Sequence, residues 1–290
     1  MLALKKILVP VDFSERSEAA VRYAGNLACH FHSALVLLHT VPSVPYELGG
    51  FEFGGVVMAQ AFTDRLPEAQ KRLDEFLADE LKGREVTKVV LEGDPAQKIV
   101  EYAHNERVNL ILIPTHGYGP FRRFLLGSVT AKVLHDADCP VLTSVHLEEG
   151  DVLRTTLPSK VICAVDLGAQ SRKVVEWADQ FASECGAELV ALHATSLSES
   201  HSEEMFDPEW RTTVEERVRE RMAELLGGAH TRARVLLEDG NPADVVASVA
   251  ERCKADLIVI GRSEAAGMFG RLRANAYSII RQSPCPVVSV

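Results

Sequence analysis

An internal repeat constrains this chain more than any other feature. The segment "KKILVPVDFSE" returns as "SKVICAVDLGA", with Asp12 matched by Asp166 and His39 by His193 at an offset of 154 in both cases (166 − 12 and 193 − 39). Further on, "EGDPAQKIVEYA" matches "DGNPADVVASVA", and "DCPVLTSV" matches "PCPVVSV". Because the repeating unit is as long as an ordinary domain, the chain is predicted to be a duplicated domain and not a solenoid.

The boundary between the two copies is predicted in the segment 146–159, where the apolar periodicity lapses. We therefore predict a first domain over residues 1–146, a linker over 147–157 and a second domain over 158–290.

Each half alternates short apolar runs with helical patterns. In the first half the predicted strands cover residues 7–11, 35–41, 86–91, 110–113 and 141–145. They are rich in Val, Ile and Leu and do not alternate with polar residues, which is typical of strands covered on both faces. The pattern predicts the α/β class, with a doubly wound, five-stranded parallel sheet in each half and right-handed crossovers.

Capping signals predict where the helices begin. Ser14 is expected to cap a first helix, and Asp94, followed by Pro95, a third. A second helix is predicted over residues 67–81, and a fourth begins at Ser128.

Composition excludes several classes of protein. The chain of 290 residues is 47% hydrophobic and 25% charged, which is typical of globular domains. Its net charge of −10 argues against a nucleic-acid partner. No apolar run has the length of a membrane span, and the N-terminal segment does not resemble a secretory signal, so we expect no membrane partner and a cytoplasmic location. The six cysteines form no C-x-x-C pair and are expected to be reduced and mostly buried thiols.

The segment "PTHGYGPFRRFLLGS", residues 114–128, directly follows a predicted strand. In doubly wound sheets, ligands bind beyond the carboxyl ends of the strands where the strand order reverses. Glycines let backbone amides approach an anion, and a helix N-terminus favours negative charge. The segment therefore predicts a site for a di- or triphosphate. Its candidate ligand groups belong to His116, Gly117, Arg122, Arg123, Gly127 and Ser128.

The segment matches neither the Walker A loop nor the Rossmann fingerprint. It resembles the G-x2-G-x9-G-[ST] motif of the universal stress protein family, with Pro114 at the first glycine, Gly117 at the second, and Gly127 and Ser128 at the close. With "ILVPVD" and "CPVL", the resemblance covers nearly the whole chain twice and is that of a tandem member. It implies the adenine nucleotide alpha hydrolase-like fold and, in some members, bound ATP, with Mg²⁺ as a candidate companion ion.

The resemblance also implies roles for individual residues. Asp12 and the backbone of Val11 would hold the base and ribose, and Val41 would pack on the adenine. The phosphates would be wrapped by Gly117, Gly127, Ser128 and Val129. Pro114 has no N–H group, which leaves open whether the first half still binds ATP. Pairing through the fifth strands would make the two halves an intramolecular pseudo-dimer, and a homodimer is a further expectation.

The second copy of the loop, "GRSEAAGMFGRLRANAYS", is degenerate. Gly261 keeps the first glycine, but Glu264 replaces the second, and Ala274 and Asn275 replace the closing Gly-Ser. A carboxylate repels phosphate and a Cβ blocks close approach. We predict that the second half does not bind ATP and is either structural or binds another ligand.

Three functions follow from these observations. The first is a stress-response regulatory module that binds ATP or a related adenine nucleotide in its first half. The second is a slow ATPase or nucleotide-dependent enzyme, and the third is a scaffold that binds no nucleotide.

Simpler structural roles stand beside these. Asp12 and Asp166 could cap the first helix of each half, a role favoured for Asp166. His39 and His193 are expected to be hydrogen-bonded core residues. The insert over residues 42–65 is a candidate lid or apolar interaction surface.

Overall fold

The computed structural model describes residues 2–43, 65–115, 126–144, 157–195, 208–262 and 274–290. Most of the insert over 42–65 and residues 116–125 of the predicted phosphate loop lie outside these ranges. The described residues form two compact units, one containing residues 3–141 and the other residues 157–290. The domain limits predicted from the sequence remain a prediction.

Strands and helices alternate along the first repeat. Its described strands are β1 (Lys6–Pro10), β2 (Ala34–Val41), β3 (Val86–Glu92), β4 (Leu110–Pro114) and β5 (Val141–Ser144). Its described helices are α1 (Glu15–Phe31), α2 (Arg65–Glu75), α3 (Pro95–Asn105) and α4 (Ser128–Asp136).

The second repeat has the same order of elements. Its described strands are β6 (Lys160–Ala164), β7 (Glu188–Thr195), β8 (Arg234–Asp239), β9 (Leu257–Ile260) and β10 (Val287–Ser289). Its described helices are α5 (Ser171–Cys185), α6 (Pro208–Gly228), α7 (Pro242–Cys253) and α8 (Ala274–Gln282).

The strand order is β3-β2-β1-β4-β5 in the first repeat and β8-β7-β6-β9-β10 in the second. All strand pairs with a described register are parallel. The order reverses between β1 and β4, and between β6 and β9. The predicted doubly wound α/β fold is confirmed.

The strand registers of the two repeats superimpose residue by residue. Leu8 pairs with Ile111 in the first repeat, and Ile162 pairs with Ile258 in the second. The offset is 154 for β1 and β6 (162 − 8) but 147 for β4 and β9 (258 − 111). The offset is still 154 between β2 and β7 (190 − 36) and already 147 between β3 and β8 (234 − 87). The second repeat is therefore seven residues shorter between its second and third strands, where the first repeat carries the insert.

Local signals account for the starts of two helices. The Ser14 hydroxyl accepts a hydrogen bond from the Ser17 N–H at 3.2 Å, and Asp94 Oδ1 accepts one from the Gln97 N–H at 3.0 Å. Both predicted caps are confirmed. The central strands lie in the core of each unit, since β4 and β9 are buried along their whole length.

Helix α2 is shorter than the sequence predicts. It ends at Glu75 instead of Leu81, and Leu77 has a left-handed φ of 50°. The ammonium group of Lys88 donates hydrogen bonds to the carbonyls of Asp74 and Phe76. This contact from strand β3 satisfies carbonyls at the helix end, which local sequence does not reveal.

Candidate nucleotide-binding site

The carboxyl ends of β1 and β4 meet at the point where the strand order of the first repeat reverses. Because Leu8 pairs with Ile111, Asp12 and Thr115 follow these neighbouring strands at matching positions. Parallel sheets of this class bind ligands at such a point. This edge is therefore the candidate site.

Asp12 organises the turn that leads from β1 into α1. Its Oδ1 accepts hydrogen bonds from the Ser14 N–H at 3.0 Å and the Ser14 hydroxyl at 2.5 Å, and Ser14 in turn caps α1. Asp12 itself is not the cap, so that alternative is wrong. Asp12 is exposed, and within the described ranges Ser14 is the only residue that donates to its carboxylate, through Oδ1. The second oxygen, Oδ2, retains its capacity to accept.

The backbone of Val11 is already engaged by strand β2. Its N–H donates to the Leu38 carbonyl at 2.9 Å, and its carbonyl lies 2.7 Å from His39 Nδ1. Since a carbonyl only accepts, Nδ1 carries the proton in this contact. A ligand can therefore use only the remaining lone pair of the Val11 carbonyl. Val41, at the end of β2, is 8% exposed.

His193 makes the same contact with the Val165 carbonyl in the second repeat, at 2.8 Å. The expected hydrogen bonds of His39 and His193 are confirmed, but both residues are half-buried and do not belong to the core.

An aromatic cluster at this edge was not identified from the sequence. Phe13 has a left-handed φ of 63°, and its ring centroid lies 4.5 Å from that of His39 and 5.5 Å from that of Phe76. The guanidinium carbon of Arg72 lies 4.1 Å from the Phe13 centroid. These contacts attach the residue next to Asp12 to helix α2. The position of Phe13 next to Asp12 is the only indication of this cluster in the sequence, because the residues that contact Phe13 are far from it along the chain.

The structure describes the two ends of the predicted phosphate loop, residues 114–115 and 126–128. The Gly127 N–H donates to the Thr115 carbonyl at 2.8 Å, and the Thr130 hydroxyl donates to the Pro114 carbonyl at 2.8 Å. These bonds hold the N-terminus of α4 against the end of β4. Gly127 is the N-cap residue of α4, and no side chain caps this helix. Ser128 is exposed and Val129 half-buried. His116, Gly117, Arg122 and Arg123 lie outside the described residues.

Gly261, the counterpart of Pro114, packs closely against helix α5. A Cβ added to Gly261 would lie 2.9 Å from Cγ2 of Val174 on α5. At the offset of 154, Val174 corresponds to Ala20 on α1, which is fully buried. The first unit thus pairs a larger strand residue with a smaller helix residue, and the second unit does the reverse.

In the second unit Asp166 takes the place of Asp12 but does not cap the helix. Its Oδ1 accepts hydrogen bonds from the Gly168 N–H at 2.9 Å and the Ser171 hydroxyl at 3.0 Å. The N-cap residue of α5 is Gln170, which makes no side-chain capping bond. The expectation that Asp166 caps α5 is wrong, because the N-cap residue Gln170 lies four residues after Asp166, and Asp166 accepts hydrogen bonds within the preceding turn and from Ser171.

A cavity of about 280 Å³ lies at the carboxyl ends of the strands of the second unit. Its polar lining includes Asp166, Ser171, His193, Arg262 and Asn275. The degenerate loop sequence therefore does not imply a filled cleft.

The cysteines are less uniformly buried than expected. Cys163 and Cys285 are buried, Cys139, Cys185 and Cys253 are half-buried, and Cys29 is exposed. All six are free thiols, and burial raises the pKa of Cys163 to about 12.

The described ranges, with their gaps, contain neither a metal cluster nor a membrane-spanning helix. No group of three or more His, Cys, Asp or Glu side chains there is placed to hold a metal ion. No helix in the same ranges combines the length and apolarity needed to cross a membrane.

Comparison with known proteins agrees with this geometry. The chain is 28% identical over 292 residues to a universal stress protein of Mycolicibacterium smegmatis, covering 98% of this chain and 96% of the relative. A solved universal stress protein from Archaeoglobus fulgidus superimposes with a TM-score of 0.67 at 25% identity. The match covers 100% of this chain and 97% of that protein.

A solved universal stress protein in complex with cAMP matches this chain at 23% identity and a TM-score of 0.33. The match covers 50% of this chain and 99% of that protein. The model of the universal stress protein family matches residues 3–144 and again residues 158–290. The chain belongs to the universal stress protein family and carries two of its domains in tandem.

Proposed function

We propose that the first unit binds ATP or a related adenine nucleotide and that the protein acts as a stress-response regulatory module. One observation carries the proposal: the N-terminus of α4, which has no side-chain cap, lies beside the strand end that leads to Asp12.

The N-terminal amides of helix α4 are not capped by a side chain, unlike those of α1 and α3. Its first intrahelical bond runs from the Ala131 N–H to the Gly127 carbonyl. The N–H groups of Ser128, Val129 and Thr130 therefore have no acceptor within the helix. In α1 and α3 a side chain caps this end, whereas Gly127 supplies none. Uncapped amides and the helix dipole favour a phosphate group.

Asp12 is suited to bind the ribose of the nucleotide. Ser14 holds its Oδ1, so the side chain has a defined orientation, while Oδ2 can accept from a ribose hydroxyl. Val41 would pack on the base. His116, Gly117, Arg122 and Arg123 complete the proposed site from the loop between β4 and α4.

Pro114 does not argue against binding. Its carbonyl accepts the Thr130 hydrogen bond that holds α4. The N-terminal amides of α4 that no side chain caps are therefore still present beside Pro114, although Pro114 itself has no N–H group.

The second unit has a different role in this proposal. Ala274 and Asn275 stand where the first unit has Gly127 and Ser128, so ATP would occupy the first unit alone. Two family domains in one chain are compatible with an intramolecular pseudo-dimer.

Substitutions at Gly127 separate binding from folding. Its φ of −60° and ψ of 145° are open to any residue. Gly127→Ala adds only a Cβ, Gly127→Asn adds a neutral cap, and Gly127→Asp adds the same cap with a negative charge. Asn and Asp are both good caps, so neither should destabilise α4. Charge repulsion with ATP should lower the affinity of Gly127→Asp at least about tenfold below that of Gly127→Asn.

Calorimetric titration of the full chain measures these affinities, with cAMP and GTP as comparison ligands. Circular dichroism melting checks that each variant folds. Equal ATP affinity of Gly127→Asn and Gly127→Asp would contradict the site, and no heat from millimolar ATP with the unmodified protein would contradict the function.

A further inference from the structure

The cavity of the second unit has an apolar body and a small number of polar groups. Its volume of about 280 Å³ is close to the lower limit of roughly 300–1,000 Å³ for small-molecule sites. Its apolar wall is formed by Val174, Leu192, Val246, Ile260 and Ile279. A small organic molecule fits this lining better than a polyphosphate does.

Arg262 supplies a positive charge that the first unit lacks at this position. It follows strand β9, lines the cavity and is only 7% exposed. At the offset of 147, its counterpart in the first unit is Thr115. A guanidinium has five N–H donors in a planar fork, and hydrogen bonds from it to an anion are strong where water is excluded. Arg262 is therefore the group in this lining that suits a negatively charged part of a ligand.

Asp166 limits how much negative charge the cavity accepts. Because Ala164 pairs with Ile260, Asp166 and Arg262 follow neighbouring strands at matching positions. Asp166 lines the same cavity, and one of its oxygens already accepts from Gly168 and Ser171. A second or third negative charge on the ligand would lie close to this carboxylate and be repelled.

From this lining we infer that the second cleft binds a small organic monoanion, with a carboxylate bound by Arg262 and an apolar body against the Val174 side of the cavity. This is a different ligand class from the nucleotide proposed for the first unit, and it requires nothing of that site.

Matched probes test the charge requirement. Benzoate and cyclohexanecarboxylate are compared with benzamide and cyclohexanecarboxamide, which have the same body without the charge, and with ATP. Binding to the full chain is read from the urea midpoint followed by tryptophan fluorescence, since both tryptophans, Trp177 and Trp210, lie in the second unit. The carboxylates should raise this midpoint, whereas the amides and ATP should not.

Two variants locate the binding group. Asn275 is exposed, lines the cavity and lies in the first turn of α8. Asn275→Asp therefore adds a charge that the helix tolerates, and it should weaken carboxylate binding about fivefold. Arg262→Lys should weaken it as well, because a point charge replaces the fork. Asn275→Ser is the neutral control and should retain binding.

A midpoint shift by the carboxylates that falls in Asn275→Asp and Arg262→Lys supports the proposal. Equal shifts by carboxylates and amides, no shift by either carboxylate, a shift by ATP in the same transition, or full binding by Asn275→Asp would overturn it.

Discussion

Gly261→Ala tests whether packing against α5 determines the residue at the first position of the motif. The new Cβ would lie 2.9 Å from Val174 Cγ2, whereas carbon atoms in contact prefer about 3.5–4.0 Å. Val174 is 2% exposed and β-branched, so its rotamer cannot easily change. One of the two segments must therefore move.

The expected free energies follow from two opposing terms. Overpacking of this kind costs about 1–3 kcal/mol. Replacing Gly by Ala recovers about 0.4–1 kcal/mol by restricting the unfolded chain. Gly261→Ala should therefore destabilise the second unit by roughly 1 kcal/mol. In a Val174→Ala background the clash is absent, and the same substitution should become neutral or stabilising. The coupling energy of the pair should be about 1–3 kcal/mol.

Urea denaturation of the full chain, followed by tryptophan fluorescence, measures this cycle, because both tryptophans report on the second unit. Gly227→Ala is the matched control, since a Cβ added there meets nothing within 4 Å and should cause no loss. Additive effects of Gly261→Ala and Val174→Ala, within about 0.5 kcal/mol, would refute the packing argument.

Three further predictions concern other parts of the chain. Ala20→Val should destabilise the first unit by about 1–3 kcal/mol, and Pro114→Gly should reduce that loss, as checked by thermal melting with tyrosine fluorescence. Iodoacetamide should modify the exposed Cys29 first and the buried Cys163 last, because burial raises the pKa of the Cys163 thiol to about 12, and mass spectrometry with time gives the order. A hydrogen bond from the backbone N–H of Gln97, in the first turn of α3, lowers the pKa of Asp94. The ionised carboxylate therefore stabilises the fold above about pH 4, and this stabilisation is lost as the pH falls through the lowered pKa of the folded state. Asp94→Asn keeps an acceptor without a titrating charge and should lose less melting temperature than the unmodified protein between about pH 4 and pH 2, whereas equal losses would contradict this assignment.

Signals within a few residues predicted a large part of the fold. Apolar runs located the strands, and side chains such as Ser14 and Asp94 marked the helix starts, because capping depends on neighbours within three residues. The duplication could be recognised because equivalent buried positions in the two copies retain similar residues.

Parts of the candidate site could not be predicted in this way. The partners of Phe13 on β2 and α2, and the contact of Lys88 with the end of α2, join segments far apart in the chain. Asp12 was recognised as a site residue, but its hydrogen bonds to Ser14 and the engagement of Val11 by β2 emerged only from the folded geometry.

The amino-acid sequence alone determined the two-fold repeat, the α/β class and the family, since these depend on local periodicity and on motif residues read in order. Tertiary structure alone decided that Gly261 leaves room for the side chain of Val174, and that the second unit keeps a cavity lined by Arg262 and Asp166. The physical reason is that packing volume and charge pairing depend on distances between separate strands and helices, which exist only once the sheet has formed.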